Sequence, residues 1–388
     1  MTVGIGSSYP LDQMVTIRQL LMGGDLTDFL EVVEDIFRYD PFYVRPLDRE
    51  IKSRLHPKQN PFFEHGEGAV WVAYRQGCCV GRVTAQIDRE YLRQYQNDTG
   101  FFGFFDTIQD EEVAQALLSG AEDWLRQKGM KRVIGPMSLS INEELGCLVE
   151  GFDTPPMIMM PHHRPYQAEL LEKAGYAKEK DLYAWQYMVK SLDERVVKAH
   201  QEIKSLPEVT VRPASLKNID EDIALVVDIF NDAWSENWGF VPLTQKEIKK
   251  MANDLRLILI PELTRIIFIN GKSAAVVLAL PNINEMIGDL KGKLFPFGLL
   301  KLLYRLKVQG PTTARVPILG IRKQYRHVRR YGSLSAYLYA EMYYVGKTHG
   351  IRFGELSWTL EDNTRVNAGI RRMGATLYKK YRIFSKTL

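Results

Sequence analysis

The chain has 388 residues, 45% hydrophobic and 25% charged, with a formal net charge of +4. A single core rarely grows that large, so two domains are expected, and the balance of apolar and charged residues excludes bulk disorder. No run of about 18 apolar residues occurs, which argues against a spanning helix, and Cys78, Cys79 and Cys147 lack metal or disulfide-frame spacing and read as free thiols in a reducing compartment.

In chain order, the opening stretch up to Met14 lacks a basic region followed by an apolar run, so no secretory leader is expected and a cytoplasmic location is inferred. Strand-like runs at 69–74 and 79–87 flank Gln76-Gly77, a hairpin turn pair. An amphipathic helix then ends at Gly129, a short strand follows, and Asn142 comes thirteen residues after that glycine. A second helix closes on Gly175, and an aromatic-rich strand spans 181–189. The same order returns: runs at 265–269 and 274–280 around Asn270-Gly271, a helix to Gly350, a strand, Asn363 thirteen residues on, a helix to Gly374 and an aromatic strand at 376–384. The repeat predicts a mixed α/β (α+β) protein with a largely antiparallel central sheet in each half. The halves are placed at 1–190 and 213–388, joined by a connection at 191–212 carrying a short helix.

Several residue groups carry chemistry. From Leu290 to Ala340 there are eleven Lys or Arg and no Asp or Glu, which suits a phosphate-rich partner. Within 287–308, Phe295 and Phe297 precede Leu-rich turns bearing Lys301, Arg305 and Lys307. That pattern suits either a basic amphipathic helix in a membrane interface or a buried helix covering the sheet. Glu355, on the strand after Gly350, is the leading candidate base, against an edge glutamate facing water or paired with an arginine such as Arg352. Glu361 is the second. Asp362 and Asn363 suit helix capping. Tyr378 and Tyr381 are candidate acids or core aromatics. Asn142-Glu143-Glu144 reads as a functional loop or as an N-cap with first-turn carboxylates. The stretch 151–166, with Pro155-Pro156 and an apolar run at 157–160, reads as a lid or substrate-facing loop. His162 and His163 point different ways on any regular backbone, and no metal is expected.

The residues 316–350 (VPILGIRKQYRHVRRYGSLSAYLYAEMYYVGKTHG) and 353–375 (FGELSWTLEDNTRVNAGIRRMGA) resemble the GNAT family of acyl-CoA N-acyltransferases. There a strand leads into an R/Q-x-x-G-x-G/A loop whose N–H groups and helix start hold the pyrophosphate of CoA. Here the loop reads Arg329-Arg330-Tyr331-Gly332-Ser333-Leu334, with leucine in the last place. In the first half, Gln109-Asp110-Glu111 stands at the corresponding position, which repels phosphate. From about Arg38 onward the chain also resembles tandem GNAT-like bacterial proteins that include the bacterial ceramide synthases. The carrying segments are GFFGFFD (100–106), 135–166, ELSWTLEDN and YKKYRIF.

The resemblance implies two tandem GNAT folds, with the cofactor loop only in the second. It implies that Arg326, Arg329, Arg330, Tyr331, Gly332 and Ser333 hold phosphate, and that Leu319, Gly320 and Ile321 line the pantetheine arm, Gly320 by permitting close approach. Backbone N–H groups of 317–321 are the expected oxyanion donors, and Asn363 approaches the cofactor. Asn142, Glu143, Phe295, Phe297 and Trp358 fall to the substrate side. The implied activity is transfer of a fatty acyl group, from acyl-CoA or an acyl-carrier protein, to a sphingoid base or similar long-chain amine. Peripheral association with the anionic inner face of the cytoplasmic membrane goes with it. The alternatives are a small soluble amine or amino acid as acceptor, and a non-catalytic lipid- or nucleic-acid-binding protein. The aromatic spacing of RNA-binding folds is absent, so no nucleic acid is expected.

Overall fold

A computed structural model describes residues 14–388; the opening stretch read for a secretory leader lies outside them, apart from Met14. The first half runs β1 (Thr16–Leu20), α1 (Thr27–Ile36), α2 (Asp48–Arg54), β2 (Gly66–Arg75), β3 (Cys78–Asp88), α3 (Arg89–Tyr95), β4 (Thr99–Thr107), α4 (Glu111–Gln127), β5 (Arg132–Gly135), β6 (Cys147–Glu150), α5 (Tyr166–Lys173) and β7 (Ala177–Met188). The second runs α6 (Glu194–Lys204), β8 (Val209–Pro213), α7 (Ile219–Trp234), α8 (Gln245–Leu255), β9 (Thr264–Ile269), β10 (Lys272–Pro281), α9 (Asn284–Ile287), α10 (Gly298–Tyr304), β11 (Thr313–Ile321), α11 (Lys323–Arg326), α12 (Leu334–Thr348), β12 (Phe353–Leu360), α13 (Thr364–Arg372) and β13 (Thr376–Thr387). The stretch 191–212 thus holds a helix, as expected, and most of an edge strand as well.

Both hairpins form where the turn pairs stand. Gln76 and Gly77 have φ of 52° and 75°, and Asn270 and Gly271 have 50° and 73°. Two successive left-handed residues make the turn whose twist matches the flanking strands.

The strands do not form one sheet per half. They join one 13-stranded sheet in the order β1-β2-β3-β4-β5-β13-β7-β12-β11-β10-β9-β8, with β6 also on β13. The halves exchange their final strands. β13 leaves the second half and pairs with β5, Phe384 opposite Gly135. β7 leaves the first half and pairs with β12, Trp185 opposite Leu356. The two exchanged strands pair with each other, Tyr381 opposite Leu182. They form the centre of the sheet and are covered on both faces. Leu182, Ala184, Trp185, Tyr381, Ile383 and Phe384 are all fully buried.

Helices cover both faces. In the first half, Leu117, Leu118 and Leu125 of α4 pack on Trp71, Val83 and Phe102, while Phe29 and Leu30 of α1 pack opposite, on Val70 and Val72. In the second, Tyr337 and Leu338 of α12 pack on Val277, and Ile370 of α13 packs on Leu356 and Trp185. Ile223 and Val227 of α7 and Ile248 and Leu255 of α8 cover the other face at Leu278 and Leu280. The stretch 151–166 lies on that α7 side. Ile158 joins the α7–α8 cluster, and its N–H donates to the Asn282 side chain at 2.9 Å. Among the described residues no helix is long and apolar enough to cross a membrane.

Candidate active site

β11 and β12 run parallel and pair from Thr313–Phe353 to Val316–Leu356. Both strands continue, to Ile321 and Leu360, without further pairs between them. The cause is an extra residue in β11. Leu278 of β10 faces Ile318 and Leu280 faces Arg315, so Val316 and Pro317 together oppose Ala279. Such a bulge bends its strand away from a neighbour, and Pro317 brings no N–H to the ladder. The outer edge of 318–321 stays on β10, and Thr359 and Leu360 stay on β7. The two inner edges, 317–321 and 357–360, therefore face each other across an opening; side chains cap Ser357 O, Leu360 O and Ile321 O, and the other backbone groups along these edges have no partner on the facing strand. Such groups seek partners, and an extended ligand can supply them.

Glu355 sits one residue before the last strand pair and is fully buried. The Tyr378 hydroxyl donates to its Oε2 and the Ser357 hydroxyl to its Oε1. Arg315 lies directly opposite on β11, its Nε 3.7 Å from Oε1. Arg315 also donates to Ser357 Oγ at 2.8 Å, to Ser357 O at 3.2 Å and to Ile158 O at 3.0 Å. Glu355 thus neither faces water nor pairs with Arg352; its partner is Arg315. Beside it, Tyr381 is fully buried, and its hydroxyl has no hydrogen-bond partner among the described residues. Lys379, 1% exposed, donates to Thr154 O at 2.7 Å.

Burial sets the protonation here. It drives the Tyr378 hydroxyl far up, and the Glu355 charge adds to that, so the phenol holds its proton. Burial does the same to Tyr381. It lowers the Arg315 guanidinium against the pull of Glu355, and brings Lys379 down to about 8 against the same pull. The cluster therefore places a carboxylate, two protonated phenols and a cation out of water beside the parted strands. It is equipped to take one proton and give another.

The other expected residues lie in different places. Trp358 packs with Tyr378, Tyr381 and Phe353, and Met157 and Met160 of the 157–160 run join them. Glu361 does not meet Glu355: it pairs with Lys178 at 2.7 Å and accepts from the Asp181 N–H at 3.0 Å. Asn363 caps α13, accepting from the Val366 N–H at 3.4 Å. Gly320 faces α7, where an added Cβ would stand 2.7 Å from the Trp234 ring, so its small size serves helix packing. Leu319 and Ile321 pack on the α12 side. In the basic loop, Arg326 donates to Ile321 O at 2.8 Å and to Ala233 O. Arg330 and Tyr331 both bond Glu208. Arg329 and Gly332 are exposed, and Ser333 stands at the N-cap of α12 without a side-chain cap bond. The first-turn N–H groups of a helix lack intrahelical partners, so Arg329 and these groups are what the loop offers an anion.

On the substrate side, Asn142 donates to Val241 O at 3.1 Å, and no helix follows it, so the capping alternative is excluded. Glu143 and Glu144 each lie 3.2 Å from Arg54. Phe295 and Phe297 are 72% and 74% exposed and stand apart from the Glu355 cluster. His162 bonds Asp40 at 3.0 Å, whereas His163 Nδ1 accepts from the Leu148 N–H at 3.1 Å. Among the described residues no group of three or more His, Cys, Asp or Glu is arranged to hold a metal.

The first half parts its strands too, after Phe101–Ile134. Its own chain fills that gap. Met137 N–H donates to Phe102 O at 2.7 Å, the Gln86 amide donates to Met137 O, and residues 136–141 are buried. Asp110 caps the start of α4 through the N–H groups of Glu112 and Val113. Reading the sequence missed Arg315, Ser357 and Lys379. A lone arginine in the otherwise apolar strand TARVPILGI was the one available pointer.

No family model matches the chain. Protein YghO of Escherichia coli (strain K12) is 39% identical over 374 residues, covering 96% of this chain and 95% of that protein. The bacterial ceramide synthase of Caulobacter vibrioides (strain NA1000 / CB15N) is 39% identical over 367 residues, covering 94% and 95%. Among solved structures, a tandem GNAT protein from the clavulanic acid biosynthesis pathway superposes with a TM-score of 0.58 at 12% identity, covering 96% of this chain and 98% of that one. A GCN5-related N-acetyltransferase from Sphaerobacter thermophilus gives 0.54 at 13% identity, covering 98% and 97%. The chain has the tandem GNAT fold and belongs to the family of Protein YghO and the bacterial ceramide synthase.

Proposed function

We propose that this protein is an acyl-CoA-dependent N-acyltransferase that joins a fatty acyl group to the amine of a sphingoid base or a similar long-chain amine. The observation that carries the reading is the buried Glu355–Tyr378–Ser357 cluster one residue before β11 and β12 part. The kinship with a ceramide synthase favours this acceptor over a small soluble amine.

The thioester lies along the free edge of β11, and the N–H groups of Leu319 and Ile321, which alternate with those bonded to β10, donate to its carbonyl oxygen as charge develops there. An alkyl amine with a pKa of about 10 is mostly ammonium in water and gives that proton to solvent on entering the site; Glu355 then takes a second proton from the nitrogen as it attacks the thioester carbonyl. The C–N bond forms, the C–S bond breaks, and Tyr378 protonates the leaving thiolate. The Tyr378–Glu355 hydrogen bond then returns the proton from the carboxyl to the phenol, so thioester and amine leave as amide and thiol. Arg329 and the α12 N-terminus hold the phosphates of CoA or of a carrier protein's pantetheine. The first half, its gap filled and its helix start acidic, acts as scaffold.

Around α10, Phe295, Phe297, Leu300, Tyr304 and Val308 are exposed, while Leu302 and Leu306 anchor the segment on Leu47 and Met286. Lys301 and Arg305 are spent on Asp289, leaving Lys291, Lys293 and Lys307 to face anionic lipid. This surface suits peripheral contact with the membrane that holds a long-chain amine.

The test is thiol release from palmitoyl-CoA in detergent, with and without a sphingoid base. Release that requires the amine supports the reading. Absence of release with every long-chain amine tried rejects the acceptor class.

A further inference from the structure

The opposite face of β11 and β12 carries an apolar cleft of about 660 Å³, its open mouth included. Ala314 and Val316 of β11 and Gly354 and Leu356 of β12 form its floor, and Met342 and Gly346 of α12 stand in its wall. The floor residues alternate with Arg315 and Glu355. Successive strand side chains point to opposite faces, so the cleft and the carboxylate lie back to back. Val316 and Leu356 are also the last pair before the strands part. The cleft therefore ends where the opening begins. The helix that walls it, α12, is the one whose N-terminus faces the basic loop.

We propose that this cleft holds the hydrocarbon chain of the acyl donor. The inference rests on the N-acyltransferase reading and adds where the chain goes. A thioester whose carbonyl occupies the opening has two directions available to its substituents. The pantetheine arm follows β11 toward Arg329, and the acyl chain runs back over Val316 and Leu356 into the cleft. The amine then enters from the Glu355 face, so donor chain and acceptor never compete for one space.

Glycines in the lining support a volume kept open. A Cβ added at Gly354 would meet nothing closer than Tyr187 O at 3.9 Å, and one at Gly346 nothing closer than Ile351 Cβ at 3.5 Å. Both distances are ordinary contact, so packing does not demand glycine at either position. Gly346 lies inside α12, where alanine is the better helix former. Larger residues at these two positions would grow into the cleft and shorten it.

The experiment is a calorimetric titration of the full chain with CoA, butyryl-CoA, octanoyl-CoA and palmitoyl-CoA below their micelle concentrations. Each methylene buried is worth roughly fourfold in affinity, so octanoyl-CoA should bind on the order of 100-fold more tightly than butyryl-CoA. Gly346→Leu and Gly354→Leu should lose most of that gain and keep the affinity for CoA itself, which also reports that they fold. Gly346→Ala, which favours the helix, should lose a smaller part. Retention of the full chain-length gain in all three variants would place the acyl chain elsewhere and overturn the inference. Wild type that binds CoA with no dependence on chain length overturns it too, and leaves the N-acyltransferase reading standing. Wild type that binds no CoA species overturns the donor reading and this inference with it.

Discussion

Glu355→Gln separates the proposed base from its scaffold. The two side chains share a shape, so the cluster can keep its outline while losing its charge. Glu355 accepts from Tyr378 and Ser357 and faces Arg315 at 3.7 Å. Glutamine has one acceptor oxygen in place of two, so one hydroxyl must turn round and accept from the new amide. Arg315 keeps its bonds to Ser357 and Ile158 but loses its counter-charge in a buried site. Removing one partner of a buried pair costs about 3–5 kcal/mol. The 3.7 Å separation is beyond a direct hydrogen bond, so the lower end of that range, ~3 kcal/mol, is expected. A general base is worth about 10²–10⁴ in rate. The variant should therefore melt several degrees lower yet remain folded at 25 °C, and lose at least a hundredfold in amine-dependent thiol release. Thermal unfolding and a thiol-coupled rate measured on one preparation check both. A folded Glu355→Gln protein that keeps more than a tenth of the wild-type rate would refute the base assignment.

Other expectations follow from the same geometry. Burial holds His163 down to about 4, so it is neutral in the fold while an exposed histidine binds a proton near 6.5. The unfolded chain then takes up the extra proton, and ~3 kcal/mol of stability should be lost as pH falls from 6.5 to 4. His163→Asn, which can still accept from the Leu148 N–H, should flatten that slope in urea titrations. Lys379 is held down to about 8, so the unfolded chain again binds more protons, and stability should rise between pH 8 and 10. Lys379→Met should remove the rise. Phe295→Ser with Phe297→Ser should weaken binding to phosphatidylglycerol vesicles at least tenfold, judged from about 1.5–3 kcal/mol per buried Phe, and leave melting unchanged; equal vesicle binding would reject the membrane surface. Deleting β13 removes three fully buried hydrophobic side chains, Tyr381, Ile383 and Phe384. At about 2 kcal/mol each that is ~6 kcal/mol, a large share of the 5–15 kcal/mol typical of a domain, so no cooperative transition should survive in calorimetry.

Local chemistry was legible in the sequence. Gln76-Gly77 and Asn270-Gly271 gave away both hairpins because a tight turn demands left-handed residues at fixed places. The paired glycines and asparagines exposed the repeat for a similar reason. The exchange of final strands was not legible. The apolar patterns of β7 and β13 fit a neighbour in either half, and nothing local says which half supplies it. Glu355 stood out as a carboxylate on a strand, but its partner did not. Arg315 is forty residues earlier in the chain, and only the parallel register brings the two together. The basic loop shows the opposite failure. Arg326 and Arg330 read as free charges, whereas Ala233 O and Glu208 already occupy them. Glu361 was misplaced in the same way, because Lys178 lies on a strand contributed by the other half. A sequence displays charges without displaying the company they keep.

The exchange of strands also bears on how the protein is made. β13 is synthesised after every other strand of the sheet, and its place is near the middle. Until it arrives, the first half waits with the edges of β5 and β7 unsealed, the kind of surface that invites wrong pairing with other chains. The same arrangement acts as a lock against shortening. Each half closes its sheet with a strand borrowed from the other, so whatever the first half contributes to the reaction, it cannot be discarded without unravelling the half that carries Glu355.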